Sequence, residues 1–179
     1  MMSPEWLSAS ARYNRWMNDK LYALIATLSD EARRRDSGAF FKSIHGTLNH
    51  LLVTDRVWLA RFEGVAVPDG FMAPGIVALD QELYDDFEEL RRERGLTDAQ
   101  LSAWVAGLTP ERLAAPLIFV RRGHRLETPL WGAVAHLFNH QTHHRGQLTT
   151  LLSQQGHDPG VTDLFAMLRE EAARAASAK

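Results

Sequence analysis

Apolar residues recur along most of this chain at the three-and-four spacing of a helix buried on one side. The first stripe runs through Trp6, Leu7, Tyr13, Trp16, Met17, Leu21, Leu24 and Leu28. Ser3-Pro4-Glu5 ahead of it supplies an N-cap and a proline in the first turn. A second stripe of Ile44, Leu48, Leu51, Leu52, Trp58 and Leu59 predicts a helix from about Gly38 or Phe40 to Phe62. Residues 63–75, EGVAVPDGFMAPG, are rich in Gly and Pro and form a loop. A third helix is predicted over about Ile76–Glu93. Gly95 breaks it, and Thr97-x-x-Gln100 restarts a helix as a capping box through Trp104 and Leu108.

Beyond Thr109-Pro110-Glu111, which opens a short turn, the pattern changes. PLIFVRRGHRLETP, residues 116–129, pairs a β-prone run with a turn and a second run, so a small hairpin is expected. Thr128 then reads as an N-cap with Pro129 at the first helical position, opening a helix that ends near Gly156, before Asp158-Pro159-Gly160. A last amphipathic helix spans Thr162 to about Ala175. Four long amphipathic helices with no internal repeat indicate an all-α fold: a four-helix bundle with a short extra C-terminal helix and a small hairpin. The long loops after the second and third helices leave room for crossover connections. At 179 residues the chain is read as one domain, 1–179.

Composition narrows the function by exclusion. Apolar residues are 45% and charged residues 23%, the profile of a folded globular protein. Twenty basic and twenty-two acidic side chains leave a formal charge of −2 with no dense basic block, which argues against nucleic acid as partner. Basic pairs such as Arg121-Arg122 read as solvated turns. The absence of cysteine excludes disulfides, thiolate metal sites and a cysteine nucleophile. MMSPEWLSASARYNRW carries charge too early for a signal peptide, and no apolar run approaches the roughly 20 residues of a membrane helix. The expectation is a cytoplasmic protein without a membrane partner.

Histidine is where the chemistry gathers. Five of the eight histidines fall in AHLFNHQTHHRGQLTTLLSQQGHD, residues 135–158. At about 100° per residue the apolar stripe of this helix is Leu130, Ala133, Leu137, Leu148 and Leu151. His144 falls inside that stripe and His140 about 40° from it, whereas His136 and His143 turn towards one edge. Two imidazoles at i, i+4 facing a core can share a metal. Buried without partners they would cost about 1–3 kcal/mol each. A third ligand must come from another helix, and SIHGTLNHLLVTDRVW offers His45 and His50. His45 lies nearer the stripe of Leu48, Leu52 and Leu59, while His50 shares a second apolar face with Gly46, Val53 and Val57. Periodicity leans to His45 and leaves the choice open.

Two familiar metal patterns are absent. Gln141 stands where the glutamate base of an H-E-x-x-H peptidase would be, and no Glu precedes a His by three residues as in ferritin-like di-iron sites. Around the histidines, Arg145 and Gln147 read first as solvent-facing helix polarity and second as groups orienting an anionic substrate. Asp55 is poised between holding a ligand's second ring nitrogen and pairing with Asn14 or an arginine. Trp16 and Trp58 read as core, and His124 and His157 as surface.

RYNRWMN, SIHGTLNHLLVTDRVWLARF and HLFNHQTHHRGQ together resemble the DinB family of metal-binding four-helix bundles, a resemblance that spans most of the chain. It implies a metal triad of His50, His140 and His144, replacing the lean to His45, which becomes a packing or supporting residue. It also implies a homodimer and a divalent transition metal: zinc first, with nickel, iron or manganese as alternatives. Some members resembling this chain are transferases or isomerases that use a low-molecular-weight thiol. The reading is thus a metal-dependent enzyme acting on a small molecule, either a thiol-dependent transferase or a hydrolase. A non-catalytic metal-binding dimeric module is the alternative, and a metal-free interaction protein comes last.

Overall fold

The computed structural model describes residues 3–121 and 123–177. In chain order its elements are α1 (Pro4–Ile25), α2 (Asp30–Arg34), α3 (Ile44–Phe62), α4 (Phe87–Ala106), α5 (Pro110–Ala114), β1 (Pro116–Arg121), β2 (His124–Pro129), α6 (Leu130–Gln154) and α7 (Leu164–Ser177). The protein is mostly helical, with the expected two-stranded antiparallel hairpin registered from Pro116 opposite Pro129 to Arg121 opposite His124. Arg122, read above as part of a solvated turn, lies outside the described residues. Among those residues no helix is long and apolar enough to cross a membrane.

Ser3 caps α1 as its sequence suggests, accepting from the Trp6 amide at 3.2 Å. Four other boundaries differ from expectation, three because a backbone group is already committed and one, at Gly95, because buried side chains hold the helix. The second long helix starts at Ile44, not near Phe40. Residues 39–42 form a tight turn, and Ser43 caps α3 through the Gly46 amide at 3.0 Å. The third begins at Phe87, not Ile76. Asn49 Oδ1 accepts from the amides of Leu83 and Tyr84, and Gln81 binds the backbone of Gly75 and Val77, so that stretch cannot wind. Asp86 is the actual N-cap.

Gly95 does not break α4. Its cost of about 1 kcal/mol relative to alanine is small against what holds the flanks: Arg94, Thr97 and Asp98 are all buried, and the first and last are ion-paired to each other. Thr97 is therefore a buried interior residue and not a cap. Thr128 is no cap either, since it pairs with Leu117 in the hairpin; the first amide of α6 donates instead to the Ala115 carbonyl at 3.2 Å. Thr109-Pro110-Glu111, expected to open a turn, opens the five-residue α5.

The four long helices pack in the cyclic order α1, α4, α3, α6, so consecutive members α1 and α3 lie on opposite sides, as do α4 and α6. One apolar layer is built on Met17, Leu21, Ile25, Leu48, Leu52, Leu148 and Leu152, and another on Leu7, Leu59, Leu101, Leu130 and Leu137. Between them in sequence on every long helix lie buried polar residues: Asn14, Asp55, Arg94 and Asp98, Gln141 and Arg145, with Asn18 one residue beyond Met17. A smaller apolar cluster of Val53, Val57, Ala60, Ala73 and Ile76 anchors the 63–86 connection against α3.

Candidate metal centre

Helix α3 contributes His50, and α6 contributes His140 and His144 one turn apart. Together they can present one ligand atom each, all within 4.8 Å of one another. The Nε2 atom of His140 lies 3.3 Å from that of His50 and 3.1 Å from that of His144. His45, favoured by periodicity, is elsewhere. It is fully buried and donates from Nε2 to the Tyr84 carbonyl at 3.0 Å. Asn49 donates to the same carbonyl, so the two residues pin the segment that passes over His50.

That segment and the last turns of α6 fix the ring tautomers. His50 Nδ1 lies 2.7 Å from the Leu79 carbonyl, and His144 Nδ1 lies 2.7 Å from Gln147 Oε1. Both partners only accept, so both Nδ1 atoms carry the hydrogen and both Nε2 atoms are bare lone pairs. A single proton on His140 Nε2 would serve only one of its two neighbours well. One cation among the three nitrogens would serve all of them. The two separations from His140 also suit it, because ligands about 2.0–2.1 Å from a tetrahedral ion stand roughly 3.3 Å apart.

The electrostatics favour the same state. Burial, with a smaller push from His144, lowers the pKa of His50 to about 4. Burial and the charges of the neighbouring imidazoles lower His140 to about 3, and burial also lowers His144. All three are thus neutral bases at pH 7, the form in which histidine binds a metal. The Phe41 ring stacks on His50, centroids 3.7 Å apart and planes 17° apart. Gly46 permits this: a Cβ there would run into the Phe41 carbonyl oxygen, so only glycine lets the 39–42 turn settle on α3. A cavity of about 550 Å³ opens over the triad, walled by Phe40, Phe41, Leu79, Asp80, His143 and Gln147.

The other candidates separate clearly. Asp55 does not support a histidine. It is buried and ion-paired to Arg94 Nη1 at 2.8 Å, and it accepts from Gln141. Arg145 is no solvent-facing group. It is 3% exposed and donates to Asn14 and to Gln141 on the side of α6 away from the cavity. Gln147 does act beside the triad, but on His144 rather than on a substrate in this arrangement. Trp58 is half-buried against Phe62, Phe119 and His136, and Trp16 stacks on Tyr13. His124 is exposed on β2 and His157 follows α6, and neither joins the cluster.

Sequence reasoning missed Phe41, the Leu79 carbonyl and Asp80. A glycine in the first turn of a buried helix was the available sign of the close approach that brings Phe41 in. Nothing local marked Leu79.

Comparison with known proteins is consistent with this arrangement. The model of the DinB family matches residues 2–175. Protein DinB of Bacillus subtilis (strain 168) is 26% identical over 155 residues, 84% of this chain and 87% of that protein. A crystal structure of a DinB-like protein from Bacillus cereus ATCC 10987 superposes with a TM-score of 0.57 at 20% identity, over 82% of this chain and 91% of that one, a likeness of fold alone.

Proposed function

The chain belongs to the DinB family, and from that premise we propose that it is a metal-dependent transferase that uses an external low-molecular-weight thiol. His50, His140 and His144 are its ligands to one divalent transition ion, zinc first among the candidates. The observation that carries this reading is the pairing of three convergent, neutral imidazoles with a cavity on their open side. A purely structural site is closed by a fourth protein ligand, whereas three histidines facing a cavity leave a position for a reactant. Bound there, the ion would act as a Lewis acid that makes a thiol or a water more acidic.

The chain's own residues account for the rest. The Leu79 carbonyl and Gln147 hold two imidazoles in the ligating tautomer. Phe40 and Phe41 give the cavity an aromatic wall for the apolar part of a small substrate. Asp80 is the carboxylate of that wall and the group we assign to take up the thiol's proton. With no cysteine in the chain, the sulfur must arrive from solution.

Asp80 also favours a second reading, a hydrolase in which it serves as base towards water. The two readings part on one experiment. Untagged protein is assayed with a panel of small electrophiles, with and without added thiol, before and after a chelator. Thiol-dependent turnover lost on chelation and restored by zinc supports the transferase. Turnover without thiol moves the assignment to the hydrolase, and a metal-free protein even after reconstitution sinks both. We read the ring of four long helices as a four-helix bundle with crossover connections, and the functional unit as a cytoplasmic homodimer, which sedimentation would test.

A further inference from the structure

We infer that a second cavity, next to the one over the triad, is the seat for a carboxylate carried by the small-molecule ligand, and that Arg61 is the residue that holds it. The cavity has a volume of about 510 Å³ and meets the first one at Leu79 and Asp80, which line both. Arg61 lines it. On α3 the eleven residues from His50 to Arg61 amount to about 16 Å of rise and leave the two on the same face of the helix, within roughly 20°. A ligand lying along that face would have one end at the triad and the other at the guanidinium.

Arg61 is built as a receptor and has no partner among the described residues. Its guanidinium lies beside two rings that meet edge to face, 4.8 Å from the Trp58 centroid and 4.6 Å from that of Phe119. Such cation–π contacts anchor the group without using its N–H donors. Arg12, Arg34, Arg56, Arg94 and Arg145 each reach a side-chain oxygen. Among the described residues Arg61 reaches none. Burial first, then the charge of Arg121, pushes its pKa down to about 10. The group stays charged at neutral pH, and an incoming anion would offset the cost of burying that charge. A monoanion suits the site better than a phosphate, because among the described residues the wall carries two aspartates, Asp69 and Asp80, beside Arg61 and Arg121. Single carboxylates are also accepted in bidentate fashion by one guanidinium.

The identity of the ligand's other end as a thiol rests on the function proposed above, and the test keeps the two claims apart. Cobalt(II)-loaded protein is titrated with a cysteine-containing tripeptide bearing free carboxylates, with its amidated form, and with 2-mercaptoethanol. The sulfur-to-cobalt absorption band reports binding at the triad, and the Arg61 Nε–H resonance reports the second cavity. The free carboxylates should tighten binding about ten-fold over the amide, and Arg61→Gln should erase that gap while leaving cobalt content and 2-mercaptoethanol binding unchanged. Arg61→Lys should keep part of it.

A ten-fold gap that survives in Arg61→Gln, or no gap in the native protein, overturns the carboxylate seat and leaves the thiol reading standing. If no thiol gives the cobalt band, that reading fails. The seat is then judged on the Arg61 resonance alone, with a saturable shift by the carboxylated peptide and none by the amide upholding it, and no shift overturning it. Equal melting temperatures for native and variant protein ensure that a loss reflects binding and not unfolding.

Discussion

Two pairs of residues on α6 have the same i, i+4 spacing, one residue out of phase, and reach opposite chemical states. Gln141 and Arg145 face the centre of the protein, where Asp55, Arg94, Asp98, Asn14 and Asn18 complete a buried network drawn from all four long helices. Its two carboxylates and two guanidinium groups balance. Arg94 shows the result: burial disfavours its charge, yet Asp98 and Asp55 outweigh burial and hold its pKa above the ordinary value. His140 and His144 face the cavity with His50, and there nothing balances, because the lone pairs of His50 and His144 both converge on His140 Nε2, which can donate to only one of them. One region has its charges balanced within the protein, although Arg94 Nε and Arg145 Nε find no acceptor among the described residues, and the other gathers three bases around a place for a cation. The difference teaches where to look for function in a buried polar cluster: at the groups whose bonding is left unfinished.

The first way to break this contrast is to unbalance the network. Arg94→Ala leaves two buried carboxylates without their cation, a loss of about 3–5 kcal/mol where one member of a buried pair is removed. Urea melts in the presence of a chelator measure it, and a loss below about 1 kcal/mol would show that the network is not a closed unit. The converse change is His144→Ala. It should abolish stoichiometric metal binding, read by mass spectrometry, yet shift the chelated protein's stability by less than about 1 kcal/mol, since it removes an unsatisfied base. A large loss of metal-free stability in this variant would mean that the triad is structural after all.

The contrast also explains what the sequence disclosed. The wheel of α6 placed His140 and His144 together correctly, because an isolated amphipathic helix has only one way to face a core. It misjudged Arg145 because α6 is buried on two sides, and a helix read alone cannot reveal a polar partner on α1 or α3. The same limitation misled the reading of α3. His45 and His50 both lie on apolar faces, and the choice between them was settled by the 79–86 segment, whose path is fixed by Asn49 and not by any local pattern. The start of α1, capped by its own Ser3, was legible, whereas that of α3 was not, although Ser43 caps it, because residues 39–42 close a turn of their own. Nor were the limits set by tertiary bonds at Thr128 and residues 76–86, or the buried ion pair that carries α4 through Gly95.

Acid should sharpen the contrast further. In the unfolded chain the histidines titrate at the ordinary imidazole value of about 6.5, whereas burial brings folded His50 to about 4 and His140 to about 3. Below pH 6.5 the unfolded state therefore binds more protons than the folded one, and stability falls as pH falls. The stabilising contribution is complete above pH 6.5 and is lost through the window down to the folded pKa values. Urea melts of chelated protein at pH 7.5, 6 and 5 should show this decline, and the double variant His50→Ala, His140→Ala should flatten it. A native protein whose stability holds constant from pH 7.5 to 5 would refute the claim that these imidazoles stay neutral at such depth.

The finest test uses the two glutamines of α6. Gln147→Ala removes the acceptor that holds His144 in its Nδ1–H tautomer, and loss of such a partner typically costs about ten- to a hundred-fold in metal affinity. Stability should barely change, because Gln147 is only half-buried and ties α6 to no other helix. Gln141→Ala should do the reverse. That side chain is fully buried and donates to Asp55 and to the Leu51 carbonyl, so its loss should lower stability and leave affinity within about three-fold. Gln147→Glu separates tautomer control from mere packing, since a carboxylate at the same place accepts the same hydrogen and makes the imidazole a stronger base. Competition against a chromophoric chelator reads all three variants. Affinity that tracks the acceptor at position 147, weak with alanine and restored with glutamate, would tie the ligand geometry to this hydrogen bond. Equal affinity in all three would mean that His144 is positioned by α6 alone.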